Sequence, residues 1–176
     1  MNLVTHVQTA LDKASRFESK LSPEVLAIPG MTSDRIRHFL NNLCDRPDCR
    51  HLEIGTHKGA TMMAASFDNR GWYITVDSYK GRPDLPPQAA ANFARWPNPM
   101  REAIVGDCWE FAAEQKRPVY TSYFFDGPHS EEDHCRAFTE FNACLANEFV
   151  AVVDDWNTGR VRRGTYKAFG QLTNRS

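Results

Sequence analysis

Five short apolar segments, separated by stretches of helix length, each carry an acidic residue at or just beyond their end. They are His51-Leu52-Glu53-Ile54, Trp72 to Val76 before Asp77, Ala103-Ile104-Val105 before Gly106-Asp107, Tyr120 to Phe125 before Asp126, and Phe149 to Val153 before Asp154-Asp155. Near-continuous apolar runs of this length read as strands covered on both faces, and their alternation with helical stretches implies a parallel sheet between two helical layers. The expected fold class is α/β, a Rossmann-like, doubly wound, mostly parallel sheet of five strands. In such sheets ligands bind at the carboxyl ends of the strands. Glu53, Asp77, Asp107, Asp126, Asp154 and Asp155 are therefore expected on one rim.

The rest of the chain supports one domain over 1–176, with N-terminal helices in 1–47 and the α/β core in 48–176. Leu3, Val7, Ala10, Ala14, Phe17 and Leu21 recur at spacings of three and four, which predicts an amphipathic helix near 2–20. Ser33 and Asp34 suit the start of a second helix with Ile36, Phe39, Leu40 and Leu43 as its apolar stripe. Further helices are expected over 58–69, near 88–96, after Asp107, over 130–145 and over 160–172.

Composition narrows the function classes. The chain is 41% hydrophobic and 24% charged, an ordinary globular balance. A formal net charge of -1 gives no electrostatic case for nucleic-acid binding. Its 5 cysteines form no CxxC pair, so Cys44 and Cys49 are weak zinc candidates and free thiols in a reducing compartment are expected. No segment approaches the roughly 20 apolar residues of a membrane helix, and the N-terminus lacks an apolar run. A cytoplasmic protein without a membrane partner is expected.

Glu53-Ile54-Gly55-Thr56-His57-Lys58-Gly59 has the form ExGxxxG between a strand and a helix. Glycine there permits unusual backbone angles and a close approach of ligand to main chain, and the helix start beyond it offers free amides. Asp77, closing the next strand, can accept hydrogen bonds from ribose hydroxyls. A dinucleotide site would carry GxGxxG, whose second glycine admits a pyrophosphate; Thr56-His57 stands there instead. A nucleoside ligand without a pyrophosphate fits better than a nicotinamide cofactor.

HLEIGTHKGAT, ITVDSY, VGDCWEF and YFFDGPHS resemble the successive motifs of class I S-adenosylmethionine-dependent methyltransferases. The resemblance covers roughly residues 50–160. It implies that Glu53, Gly55, Thr56 and Gly59 surround the methionine part of S-adenosylmethionine (SAM), that Asp77 and Ser78 hold the ribose, and that Asp107, Cys108 and Trp109 flank the adenine. Asp107 is equally suited to capping a helix, and Trp109 to a place in the core.

Asp126-Gly127-Pro128-His129 and Asp154-Asp155 follow strands four and five. Carboxylates gathered in one cleft repel unless a proton or cation neutralises them. Oxygen donors suit a hard cation such as Mg²⁺, which would favour deprotonation of a substrate hydroxyl. A neutral imidazole at His129 suits the proton acceptor. This pattern is similar to the macrolide-sugar O-methyltransferases and the cephalosporin-hydroxylase-like group. That resemblance implies Asp126, Asp154 and Asp155 as Mg²⁺ ligands, with Asp126 also bordering the cofactor, and His129 as catalytic base. The expected activity is metal-assisted methyl transfer to a hydroxyl of a small molecule, a sugar or related metabolite. The acidic pair is Glu-Asp in those relatives and Asp-Asp here, which leaves Asp154 the least secure ligand. Class I methyltransferases commonly add two further strands, for which no counterpart is read here. Strand five would then present an open edge, where a second copy could pair. A non-catalytic ligand-binding module of the same fold is the competing reading, with a nicotinamide-dependent oxidoreductase behind it.

Overall fold

The computed structural model describes residues 2–115, 117 and 119–173. Five strands, β1 (Arg50–Ile54), β2 (Trp72–Asp77), β3 (Arg101–Val105), β4 (Tyr120–Phe125) and β5 (Leu145–Val153), form one sheet in the order β3-β2-β1-β4-β5. Every pairing is parallel. Among the described residues the sheet has five strands, as the alternating pattern predicts.

Among the described residues eight α-helices surround it: α1 (Leu3–Ser15), α2 (Pro23–Leu26), α3 (Asp34–Leu43), α4 (Ala60–Ser66), α5 (Leu85–Arg95), α6 (Cys108–Glu114), α7 (Glu131–Thr139) and α8 (Gly159–Thr173). The period-two alternation of each strand sorts its side chains between two cores. Leu52, Ile54, Ile74, Val76, Tyr123 and Phe125 face α6, α7 and α8, where Phe111, Ala112, Phe138 and Ala168 meet them. Tyr73 and Phe124 face the other way, against Leu40 and Cys44 of the α3 end and Met62 and Ala65 of α4. The N-terminal helices complete that layer, with Ala10 and Ala14 of α1 packed on Phe39 and Leu43 of α3 and on Val150 and Val152 of β5.

Several boundaries differ from the periodicity. α1 stops at Ser15 rather than near 20, because Phe17 adopts a left-handed conformation (φ 57°) and Glu18 N–H returns to the Lys13 carbonyl. Leu21, in register with the stripe, packs instead on the Val25–Ile28 cluster. Residues 23–26, between two turn signals, form the short α2, with Ser22 as N-cap and Pro23 at its first position. The stretch expected as one helix over 130–145 ends at Thr139, continues as a 3-10 turn over Phe141–Ala143, and enters β5 at Leu145. β5 thus starts four residues before Phe149, and its register against β4 shifts between the Tyr120–Leu145 and Ser122–Val150 pairs. No helix is long and apolar enough to cross a membrane among the described residues.

Candidate active site

The chain runs from β1 outward to β2 and β3, then crosses to β4 on the opposite side of β1. The connections leaving β1 and β4 therefore diverge, and a crevice opens between them at the carboxyl ends of the strands. Its floor is made by close backbone approach. Gly55 has φ 96°, and a Cβ there would lie 2.1 Å from the Asp126 carbonyl oxygen. Gly59, with φ 80°, starts α4 against the Phe93 ring, which a Cβ would meet at 2.6 Å. Both glycines of the ExGxxxG turn are thus required by angle and by space.

Asp77 ties this turn to the next one. Its Oδ2 accepts from the amides of Thr56 (2.9 Å) and His57 (2.8 Å), and its Oδ1 from that of Tyr79 (2.8 Å). His57 and Tyr79 both stand in the left-handed region at φ 48°, a conformation that costs of order 1 kcal/mol or more for non-glycine residues. The carboxylate holds both strained turns in place, so part of its accepting capacity is already in use, and lone pairs remain for a ligand.

Glu53 is completely buried beneath the turn. Its Oε1 accepts from the Thr75 hydroxyl at 3.3 Å, and its Oε2 has no hydrogen-bond partner among the described residues. Burial pushes its carboxyl well above the ordinary range, opposed by the Thr61 and Thr75 hydroxyls and reinforced by Asp126 and Asp77. An orphaned buried carboxyl of this kind suits a cationic group brought by a ligand.

A cavity of about 330 Å³ occupies the crevice. Gly55, Asp77, Ser78, Asp107, Cys108, Trp109 and Asp126 line it, so seven of the ten expected cofactor residues share one wall system. Glu53, Thr56 and Gly59 do not. Thr56 faces a smaller adjoining pocket walled by Gly30, Met31, Thr32 and Thr61, while Glu53 and Gly59 lie beneath the turn. Asp107 caps α6, accepting from the amides of Trp109 (2.8 Å) and Glu110 (3.2 Å), which is compatible with its place on the cavity wall. Trp109 belongs to the core, near Phe125 and Phe141, with the Arg136 guanidinium 4.0 Å from its ring centroid. Lys80 and Arg82 also line the cavity; a polar loop after β2 offers no periodicity that would have singled them out.

At the mouth, Asp126, His129 and Asp154 offer ligand atoms that all lie within 4.8 Å of one another. His129 Nε2 is 3.6 Å from Asp126 Oδ1. Burial, then the Asp154 and Asp155 carboxylates and finally Asp77, push the Asp126 carboxyl up to about 8. Asp155, the other expected ligand, is exposed, in a left-handed turn at φ 52° beyond β5, and the three residues whose ligand atoms lie within reach of one another are Asp126, His129 and Asp154. Two carboxylates and an imidazole fit a divalent cation, whose charge would relieve the repulsion that raises Asp126. One further residue, His134 on α7, stands behind His129: its Nε2 lies 3.5 Å from His129 Nδ1.

No protein-family model matches the chain, and no curated protein matches it in sequence. Solved structures do match in fold. The O-methyltransferase TomG from Streptomyces achromogenes, crystallised with SAM, superimposes with a TM-score of 0.60 at 20% identity, over 95% of this chain and 78% of TomG. The O-methyltransferase from Bacillus cereus, crystallised with SAH, gives 0.65 at 15% identity, over 98% of this chain and 88% of its own. A candidate SAM-dependent methyltransferase from Streptococcus mutans gives 0.61 at 16% identity, over 81% of this chain but only 40% of its own length. The chain has the Rossmann-like fold of the class I SAM-dependent O-methyltransferases, as its motifs lead one to expect.

Proposed function

We propose that this chain binds SAM and transfers its methyl group to a hydroxyl oxygen of a small molecule, with a divalent cation at the reaction centre. The observation that carries the reading is the double role of Asp126, which lines the 330 Å³ cavity and also belongs to the Asp126–His129–Asp154 cluster. A nucleoside cofactor seated in that cavity has the cluster at its reactive end. The fold shared with SAM- and SAH-bound O-methyltransferases supports the same choice.

Bound in the cavity, SAM supplies an electrophilic methyl group on its sulfonium. Asp77 and Ser78 bind its ribose, the wall of Asp107, Cys108 and Trp109 takes the adenine, and its cationic amino-acid end lies over the turn of Gly55, Thr56 and Gly59, beneath which the Glu53 carboxyl is buried. Asp126 and Asp154 hold the cation, Mg²⁺ in the first instance, with Asp155 reserved to the rim; the cation supplies Lewis acidity that makes a hydroxyl easier to deprotonate. His129 Nε2 accepts the hydroxyl proton. The 4.8 Å grouping favours a second role for the same nitrogen, as third ligand to the cation, in which case the proton leaves to solvent. A single nitrogen cannot do both. His129→Ala separates the roles: a lost base leaves cation affinity unchanged, while a lost ligand lowers it.

Calorimetric titration with SAM and with SAH tests the core of the reading. Binding of both is expected, and absence of both from folded protein overturns it.

A further inference from the structure

We infer that His134 is a positioning residue for His129: its Nε2 accepts the hydrogen bond from His129 Nδ1–H and thereby keeps the lone pair of His129 on Nε2, facing Asp126 and Asp154. The inference rests on the functional reading above, in either of the roles given there to His129. Both roles need Nε2 unprotonated, so in the neutral ring the proton must sit on Nδ1, where it requires an acceptor. His134 Nε2, at 3.5 Å, faces that nitrogen. The two rings are within 19° of parallel with centroids 5.7 Å apart, so they meet nitrogen to nitrogen along their edges, not face on face.

His134 is also held as a positioning group should be. It is fully buried on α7, with its ring edge-on to Phe125 at 5.2 Å, one element away from Asp126. The helix behind it is pinned by α8, where a Cβ at Gly164 would lie 2.8 Å from the His134 Cβ and 2.2 Å from the Glu131 carbonyl oxygen. Its Nδ1 is buried without a partner, so its contact with His129 is the only side-chain hydrogen bond found for it among the described residues. A buried imidazole with one unpaired nitrogen costs stability that a phenylalanine of similar shape would not. What the imidazole offers in return is an acceptor for His129. No helical spacing advertises the pair, since the two residues lie on either side of the Ser130 N-cap.

The test is the tautomer of His129, read by long-range proton–nitrogen correlation on protein labelled with ¹⁵N-histidine, at pH 8 without added divalent cation. The wild type is expected to show a protonated Nδ1 and an unprotonated Nε2 at His129. In His134→Phe, which keeps the volume and removes the acceptor, the Nδ1 resonance is expected to move to the unprotonated range. In His134→Gln, whose side-chain oxygen can accept in the same place, the wild-type pattern is expected to return. A wild-type His129 protonated on Nε2, or a pattern unchanged in His134→Phe, overturns the inference. Should His134→Phe fail to fold, the wild-type and His134→Gln spectra still decide it. A failure of SAM binding by calorimetry would remove the methyltransferase reading and leave the tautomer result intact, so the two failures are distinguishable.

Discussion

The carbonyl oxygen of Asp126 lies against the α-carbon of Gly55, so that the turn after β1 and the turn after β4 share a contact that only glycine permits. The cofactor turn and the candidate cation centre are mechanically one unit. Gly55→Ala combines a strained φ with a backbone clash and is expected to cost about 2–4 kcal/mol, which for a chain of this size lowers Tm by roughly 5–15 °C. Gly81→Ala is the control: its φ of 75° is equally left-handed, but nothing lies within 4 Å of a Cβ there. It should cost about 1–2 kcal/mol from strain alone. Equal losses in the two variants, measured by thermal melting, would remove the steric argument.

Glu53 joins stability to binding with opposite signs. Its folded-state pKa is raised by burial, so above about pH 4.5 the unfolded chain releases a proton that the native chain retains. Stability from this group is therefore lost as pH rises. Glu53→Gln removes the ionisation and keeps the shape. In the absence of ligand, the variant is expected to gain on the wild type as pH rises from 5 to 8, at up to about 1.4 kcal/mol per pH unit. Its affinity for SAM should fall at least tenfold, because the side chain that would become anionic against a cationic ligand is gone. Urea unfolding at the two pH values and calorimetry check the two halves separately.

Much of this organisation was legible in the sequence, for a physical reason. Strands buried on both faces leave apolar runs, and parallel strands put their ends on one rim, so Asp77, Asp107, Asp126 and Asp154 could be gathered from one dimension. What escaped depended on turns. The pairing of His134 with His129 needs the chain reversal at Ser130, which no helical spacing reports. Phe17 continued the apolar stripe of α1 although the helix had already ended. Periodicity reports which face a residue would occupy in a regular element; it does not report where the element stops.

A second buried histidine gives an acid-side signature. His51 is fully buried, bonded through Nδ1 to the Ser122 hydroxyl at 2.9 Å with Nε2 unpaired among the described residues, and burial lowers its pKa to about 3. Below pH 6.5 the unfolded chain takes up a proton that the native chain refuses, so stability is lost as pH falls from 6.5 towards 3. The raised carboxyls of Asp126 and Glu53 act in the opposite sense over part of that range, so the comparison of variant with wild type isolates His51. Between pH 7.5 and pH 4.5 the stability of His51→Leu should improve on that of wild type by about 3 kcal/mol. A difference that does not vary with pH would show that His51 does not titrate as its burial demands.

The acidic cluster at the mouth of the cavity makes the last prediction. Without a cation, Asp126 has a folded-state pKa raised to about 8, so stability declines as pH climbs from the ordinary carboxylate range through 8. A bound divalent cation favours the ionised carboxylates and binds only the folded chain, so Mg²⁺ should raise Tm at pH 8 and much less at pH 5. Asp126→Ala and Asp154→Ala should each weaken Mg²⁺ binding about 10- to 100-fold, whereas Asp155→Ala, on the exposed rim, should leave it within about twofold. If Asp155→Ala instead abolishes binding while Asp154→Ala does not, the acidic pair exchanges roles and the cation belongs on the outer side of β5. A Tm that ignores Mg²⁺ at both pH values would leave proton sharing between Asp126 and Asp154 as the means by which this cluster is neutralised.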